Sequence, residues 1–193
     1  MVKHVYQGVP YHLWNAETDM EKFFKYFDYG PAIVTRAKGP YVYNQRGKQF
    51  INSNSGLWNV AISYGREELV EAACKQMQEL PYASSWSQAH PRAIELAAKL
   101  VEICGNHYQH VVLGSNGSEV VEAAIKMVRE YFSLSQDTKN HNRYKIISLE
   151  GSYHGFSYGA ISTAGSEVID HQFGPLVPGF KQIAPPLLLQ LSI

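Results

Sequence analysis

The chain has 193 residues, 17 Lys plus Arg against 17 Asp plus Glu, and a formal net charge of zero. That length suits one large domain, or one domain and a piece of another, and the neutral balance gives no pointer to nucleic acid or an anionic membrane. Hydrophobic residues at 45% and charged residues at 18% fit a globular chain and exclude wholesale disorder.

The first forty residues are aromatic-rich and read as irregular. Tyr41 to Asn52 then shows two short β-type runs around a turn with Gly47 near its end, which predicts a β-hairpin. A polar loop, Ser53 to Gly56, follows. Arg66 to Leu80 is the first predicted helix. Leu69, Ala73, Met77 and Leu80 fall on one face, and Pro81 stops it. Pro91 opens a second helix at its first turn, where a missing N–H costs nothing. Its predicted buried stripe is Ile94, Ala97, Leu100, Val101 and Cys104, and Gly105 closes it.

His110 to Leu113 reads as a short strand. A small-residue loop, Gly114 to Ser118, leads into a predicted helix from Glu119 to Leu134, with Val121, Ile125, Val128 and Phe132 on one face. Tyr144 to Leu149 reads as another strand. Strand, helix, strand is a βαβ unit, the building block of a parallel α/β sheet. There are too few such units to complete a doubly wound domain. The tail from Pro185 to Ile193 is apolar and uncharged, an unusual ending because exposed greasy runs are sticky.

Cys74 and Cys104 make neither a CxxC pair nor a metal-ligand spacing, so two reduced thiols in a cytoplasmic protein are expected. No run approaches the roughly 18 apolar residues of a membrane span, and Met1 to Tyr6 shows no signal-peptide pattern.

Three loops carry the chemical signal. Gly114-Ser115-Asn116-Gly117-Ser118-Glu119 lies between a strand-type run and a helix. A helix N-terminus offers unpaired N–H groups and the positive end of the dipole, and small residues let an anion approach that backbone. The alternative is an ordinary cap, with Ser118 capping the helix. It is neither a Walker A loop nor a GxGxxG fingerprint. Gly151-Ser152-Tyr153-His154-Gly155 follows the second strand-type run, at the end where α/β sheets place ligands. Tyr153 supplies a flat face and His154 a titratable ring; an exposed aromatic turn is the alternative. The third is Ser55-Gly56-Leu57-Trp58-Asn59-Val60, whose Trp58 either lines a pocket or packs in a core.

In this order the three loops resemble the class III (ω-) aminotransferases, which use pyridoxal 5′-phosphate (PLP). The matching stretches are Gly56-Leu57-Trp58-Asn59-Val60, Tyr64-Gly65-Arg66-Glu67-Glu68-Leu69, Ser115 to Ala124, and Tyr153-His154-Gly155, with His90-Pro91 also in keeping. The resemblance covers roughly residues 13–186. It implies an α/β fold: the N-terminal part of a PLP-dependent transferase of fold type I, with an incomplete three-layer αβα large domain and the start of the small domain. Residues 1–65 would be the N-terminal arm and small-domain hairpin, 66–186 the start of the PLP-binding domain, and 187–193 an aberrant tail.

The resemblance also implies roles. Gly117 and Ser118 would bind the PLP phosphate, Tyr153 would lie on the pyridine ring, and His154 would sit beside it. Trp58, with Tyr153, would form the wall for the amino substrate. The reaction would move an amino group from an amine or ω-amino acid to a 2-oxo acid, and the complete protein would be a homodimer. Trp14 to Thr18 places Glu17 where biotin-pathway members carry an active-site tyrosine, which argues against a diaminopelargonate-type substrate.

PLP transamination also needs a lysine and an aspartate, which in the family lie well past residue 193. Neither Lys181 nor Asp170 stands in the right motif, so no catalytic residue is assigned. The expectation is an N-terminal fragment, ended by a stop or frameshift just after Pro186 and inactive by itself. A non-catalytic remnant, one half of a split aminotransferase, and an unrelated phosphate-binding module are the alternatives.

Overall fold

The computed structural model describes residues 5–13, 19–25, 33–164 and 173–185. The described residues form two compact units, one ending at Ala89 and the other starting at His90. The Trp14–Thr18 stretch, Asp170 and the apolar tail from Pro186 lie outside the described residues.

The first unit opens with a two-stranded hairpin, β1 (Val5–Tyr6) and β2 (Val9–Pro10), and a short helix, α1 (Met20–Lys25). A three-stranded antiparallel sheet follows: β3 (Val34–Lys38), β4 (Tyr41–Asn44) and β5 (Gln49–Ile51), in that spatial order. The predicted hairpin is the β4–β5 pair, with Val42 opposite Phe50. Its turn is built by Asn44, whose Oδ1 accepts the N–H groups of Arg46 and Lys48, each at 3.0 Å. Gly47 supplies the positive φ of +76° that the turn requires.

The irregular reading of the first forty residues is corrected by β1, β2, α1 and β3. Val34-Thr-Arg-Ala-Lys has little apolar alternation, so β3 is defined by its partner instead. Thr35 Oγ1 reaches the carbonyls of Tyr43 and Asn44, and the Arg36 guanidinium lies 3.4 Å over the Tyr43 ring.

The expected polar loop at 53–56 holds a four-residue helical turn, α2 (Ser55–Trp58). It is left-handed: φ is +51°, +62°, +53° and +65° at Ser55, Gly56, Leu57 and Trp58. Non-glycine residues hold this conformation at a cost of about 1–2 kcal/mol each. Asparagine side chains offset it. Asn52 Oδ1 accepts Gly56 N–H at 3.2 Å, and Asn59 Nδ2 donates to the Gly56 and Leu57 carbonyls at 3.1 and 3.0 Å. Helix α3 (Glu67–Glu79) then closes the unit within one residue of its expected bounds.

The second unit begins with α4 (Pro91–Ile103), capped by His90, whose Nδ1 accepts Ala93 N–H at 3.4 Å. Helix α5 (Gly117–Ser133) follows, then strand β6 (Ile146–Leu149), the short helix α6 (Tyr158–Ser162) and strand β7 (Phe180–Ile183). The parallel pair is β6–β7, with Ile146 opposite Phe180 and Leu149 opposite Ile183. The unit is thus α/β, but its parallel partners differ from those expected. His110 to Leu113 is not a strand, and nothing pairs with it among the described residues. A strand exists only through its ladder partners, and this run has Val112 and Leu113 about half exposed, at 57% and 50%.

Among the described residues the core of the second unit is small: Ile125 of α5 with Ala160, Ile161 and Ala164 around α6. The stripe expected to be buried on α4 is not. Ile94 and Cys104 are exposed, and Ala97, Leu100 and Val101 are only half-buried, because no described element covers that face. Leu69 and Met77 of α3 are exposed too.

Candidate functional site

The start of α5 is the centre of the site. Asn116 is its N-cap, with Oδ1 accepting Glu119 N–H at 3.0 Å, while the Glu119 carboxylate reaches back to Ser115 N–H at 2.8 Å. This reciprocal pair is a shifted form of the capping box. The cap is therefore Asn116 rather than Ser118, and the helix starts two residues earlier than expected. Gly117 and Ser118 occupy its first two positions, whose N–H groups have no intrahelical acceptor. Nothing lies within 4 Å of where a Cβ on Gly117 would stand.

Freed from capping, the Ser118 hydroxyl makes a long-range bond. Its Oγ accepts Phe156 N–H at 3.0 Å, across 38 residues of chain. A hydroxyl that accepts in this way keeps its own proton to donate. Gly155 packs directly on the same residue: a Cβ there would stand 3.0 Å from both Cα and Cβ of Ser118, and its φ is +118°. The phosphate-type loop and the Tyr153-His154 loop are thus brought together.

The second loop is tied at both ends. Glu150 N–H donates to the Ile183 carbonyl at 2.9 Å, and Ser152 Oγ donates to the Leu149 carbonyl at 2.6 Å. Between these ties and Phe156, Tyr153 stands 69% exposed, its ring edge-on to Phe156 at 5.5 Å between centroids. His154 is exposed beside it. Most of Tyr153 is therefore open to solvent.

One turn further along α5 lies Glu122, which sequence reasoning did not single out as a site residue. Its carboxylate accepts the N–H groups of Gly159 and Ala160 at 2.6 and 3.2 Å, closing the start of α6. The carboxyl is held below its ordinary value of 4.5. The neighbouring Ser157 hydroxyl contributes most, although its geometry falls short of a full hydrogen bond. The two N–H groups and Lys126 act in the same direction, and burial opposes them. The only hint in the sequence is the i, i+4 spacing of Ser118 and Glu122, which puts them on one helix face.

Trp58 belongs to the first unit. It is 83% exposed among the described residues. Gly56 and Leu57 of the same turn border an open depression of about 690 Å³, lined also by Val42, Phe50, Asn52 and Tyr64. Lys181 is an exposed residue of β7, opposite Ile147 in the ladder. Among the described residues no group of three or more His, Cys, Asp and Glu could hold a metal ion. No described helix is long and apolar enough to cross a membrane.

The family described as aminotransferase class-III matches residues 27–192. An uncharacterized aminotransferase of Bacillus subtilis, YhxA, is 42% identical over 154 residues, covering 80% of this chain and 33% of that protein. A putrescine–pyruvate aminotransferase of Pseudomonas aeruginosa is 35% identical over 159 residues, covering 81% of this chain and 34% of its own length. Among solved structures, a PLP-bound amine transaminase from an uncultivated Pseudomonas species superposes with a TM-score of 0.82 at 28% identity, over 92% of this chain and 39% of that one. The chain thus spans about a third of the length of the curated relatives it matches. Its fold is the expected N-terminal part of fold type I. With the two loops joined at Ser118 and residues 27–192 matched, the chain belongs to the class III aminotransferases.

Proposed function

We propose that this chain holds the cofactor-binding start of a PLP-dependent aminotransferase, one that moves an amino group from an amine or ω-amino acid to a 2-oxo acid. The observation that carries the reading is the Ser118–Phe156 bond, which ties an anion-ready helix start to the loop that carries an exposed tyrosine. The residues fit the group. Two N–H groups without intrahelical acceptors, one hydroxyl proton and open space at Gly117 suit a phosphate, and the Tyr153 face suits an aromatic ring.

PLP bound there supplies an electron sink at the carbon that bears the amino group. The chain's own residues bind and orient. Gly117 and Ser118 hold the phosphate, Tyr153 covers one ring face, and His154 stands beside that ring. Trp58 forms part of the wall against which the amino donor packs in the complete protein. The pyruvate-using relative supports a 2-oxo acid as acceptor. In the complete protein, residues 1–65 belong to the arm and small domain and residues 66–186 open the large domain, within a cytoplasmic homodimer. The free thiols of Cys74 and Cys104 suit a reducing compartment.

Titrating the chain with PLP, followed by cofactor absorbance, tests the reading. Saturable binding that inorganic phosphate competes away is expected. Ser118→Ala and Tyr153→Ala should each weaken it about tenfold, the worth of one good hydrogen bond or stacking contact. Binding that phosphate competes but Tyr153→Ala leaves unchanged refutes the ring contact at Tyr153 and leaves a phosphate cup alone.

A further inference from the structure

We propose that Glu122 is a positioning residue of the cofactor site: its carboxylate locks the segment after Tyr153 and His154 onto the helix that carries the phosphate-binding residues. The inference rests on the reading of Gly117 and Ser118 as the phosphate cup and goes beyond it, because Glu122 touches neither phosphate nor ring.

The geometry is a two-point attachment. Ser118 and Glu122 are four residues apart on α5, a rise of about 6 Å along one face. Ser118 holds Phe156 N–H, and Glu122 holds Gly159 and Ala160 N–H. A single bond would let the loop pivot, whereas two bonds to one rigid helix fix its angle as well as its distance. Tyr153 leans on Phe156, so the direction of its ring follows from that angle.

Two further features belong to the same device. Gly159 lacks a side chain where the carboxylate sits: a Cβ there would stand 2.7 Å from Glu122 Cδ, with one carboxylate oxygen nearer still. The carboxylate also meets the first N–H groups of α6, where a negative charge is favoured over a neutral acceptor.

Glu122→Ala and Glu122→Gln, made in the full chain, test this with two readouts. The first is amide hydrogen exchange at Phe156, Gly159 and Ala160 without ligand. The second is the Kd of PLP beside that of inorganic phosphate. With Glu122→Ala, exchange at all three amides should quicken about tenfold or more, the worth of a charge-assisted bond. PLP affinity should fall about tenfold, while phosphate affinity changes no more than about threefold, because only the ring contact loses its support. Glu122→Gln keeps the shape and one acceptor oxygen, so it should fall between and decide the matter where alanine unfolds the helix pair. Unchanged exchange at Phe156, or equal loss of PLP and phosphate affinity, overturns the positioning role. A wild-type chain that binds neither compound overturns the phosphate-cup reading, and exchange at Phe156 still decides whether Glu122 governs the loop.

Discussion

Replacing Gly155 with alanine puts a methyl group where Ser118 already stands. The new Cβ would lie 3.0 Å from Ser118 Cα and Cβ and closer still to Oγ, against the 3.5–4.0 Å of a relaxed carbon contact. Rotating Ser118 can move its Oγ, but Cα and Cβ are fixed to the helix, so a rotamer change cannot relieve the 3.0 Å contacts. Overpacking of this kind costs about 1–3 kcal/mol. The backbone adds its own cost, since φ is +118° and a non-glycine residue there is strained by about 1–3 kcal/mol. The sum, roughly 2–6 kcal/mol, is a large share of the 5–15 kcal/mol that stabilises an ordinary domain. Gly151 is the control. Its φ is +74°, yet nothing lies within 4 Å of an added Cβ, so Gly151→Ala carries only the backbone cost of about 1–2 kcal/mol. The three tryptophans, at positions 14, 58 and 86, all precede the second unit, so urea unfolding there is followed by far-ultraviolet circular dichroism. Gly155→Ala should lower the midpoint well beyond Gly151→Ala and abolish PLP binding. If the two variants agree within about 0.5 kcal/mol, the packing of Gly155 on Ser118 is refuted.

Three more outcomes are expected. Asn116→Ala removes the α5 cap and should cost about 1 kcal/mol of second-unit stability in the same unfolding measurement. Leu57→Gly relieves one left-handed residue that is mostly exposed, and should raise first-unit stability by about 0.5–1 kcal/mol, read from tryptophan fluorescence during unfolding. Glu122 gives the second unit an acid limb. Its carboxyl lies below 4.5 when folded and returns toward that value when unfolded, so the unfolded state binds more protons in that window. The stabilisation is whole above the unfolded value and disappears as pH falls through the folded one. Glu122→Gln should flatten this part of a stability–pH curve, and an unchanged slope would show that the carboxylate is not held in this way.

Long periodic segments were legible. The stripes of α3, α4 and α5 located those helices within about two residues, because helix bonds are local and a 3.6-residue repeat survives in any surroundings. The Asn44–Gly47 turn made the β4–β5 hairpin readable for the same reason. Misreadings arose where a distant partner decides. His110 to Leu113 has strand chemistry but no described partner, whereas the barely patterned Val34 to Lys38 gains strand identity from Tyr43 and its neighbours. The left-handed turn at Ser55–Trp58 depends on Asn52 and Asn59 side chains that periodicity does not describe.

The candidate site divides along the same line. Loop composition left a phosphate cup and an ordinary cap both open at Gly117 and Ser118, and a ligand face and a surface turn both open at Tyr153 and His154; only the family resemblance implied cofactor roles for the four. That Ser118 would leave the cap to Asn116 and reach Phe156, and that Glu122 would close α6, follows from bonds spanning 37 or 38 residues. Such pairs depend on how α5 lies against the chain after β6. Local residue types set which groups are available; tertiary packing alone chooses which of them meet.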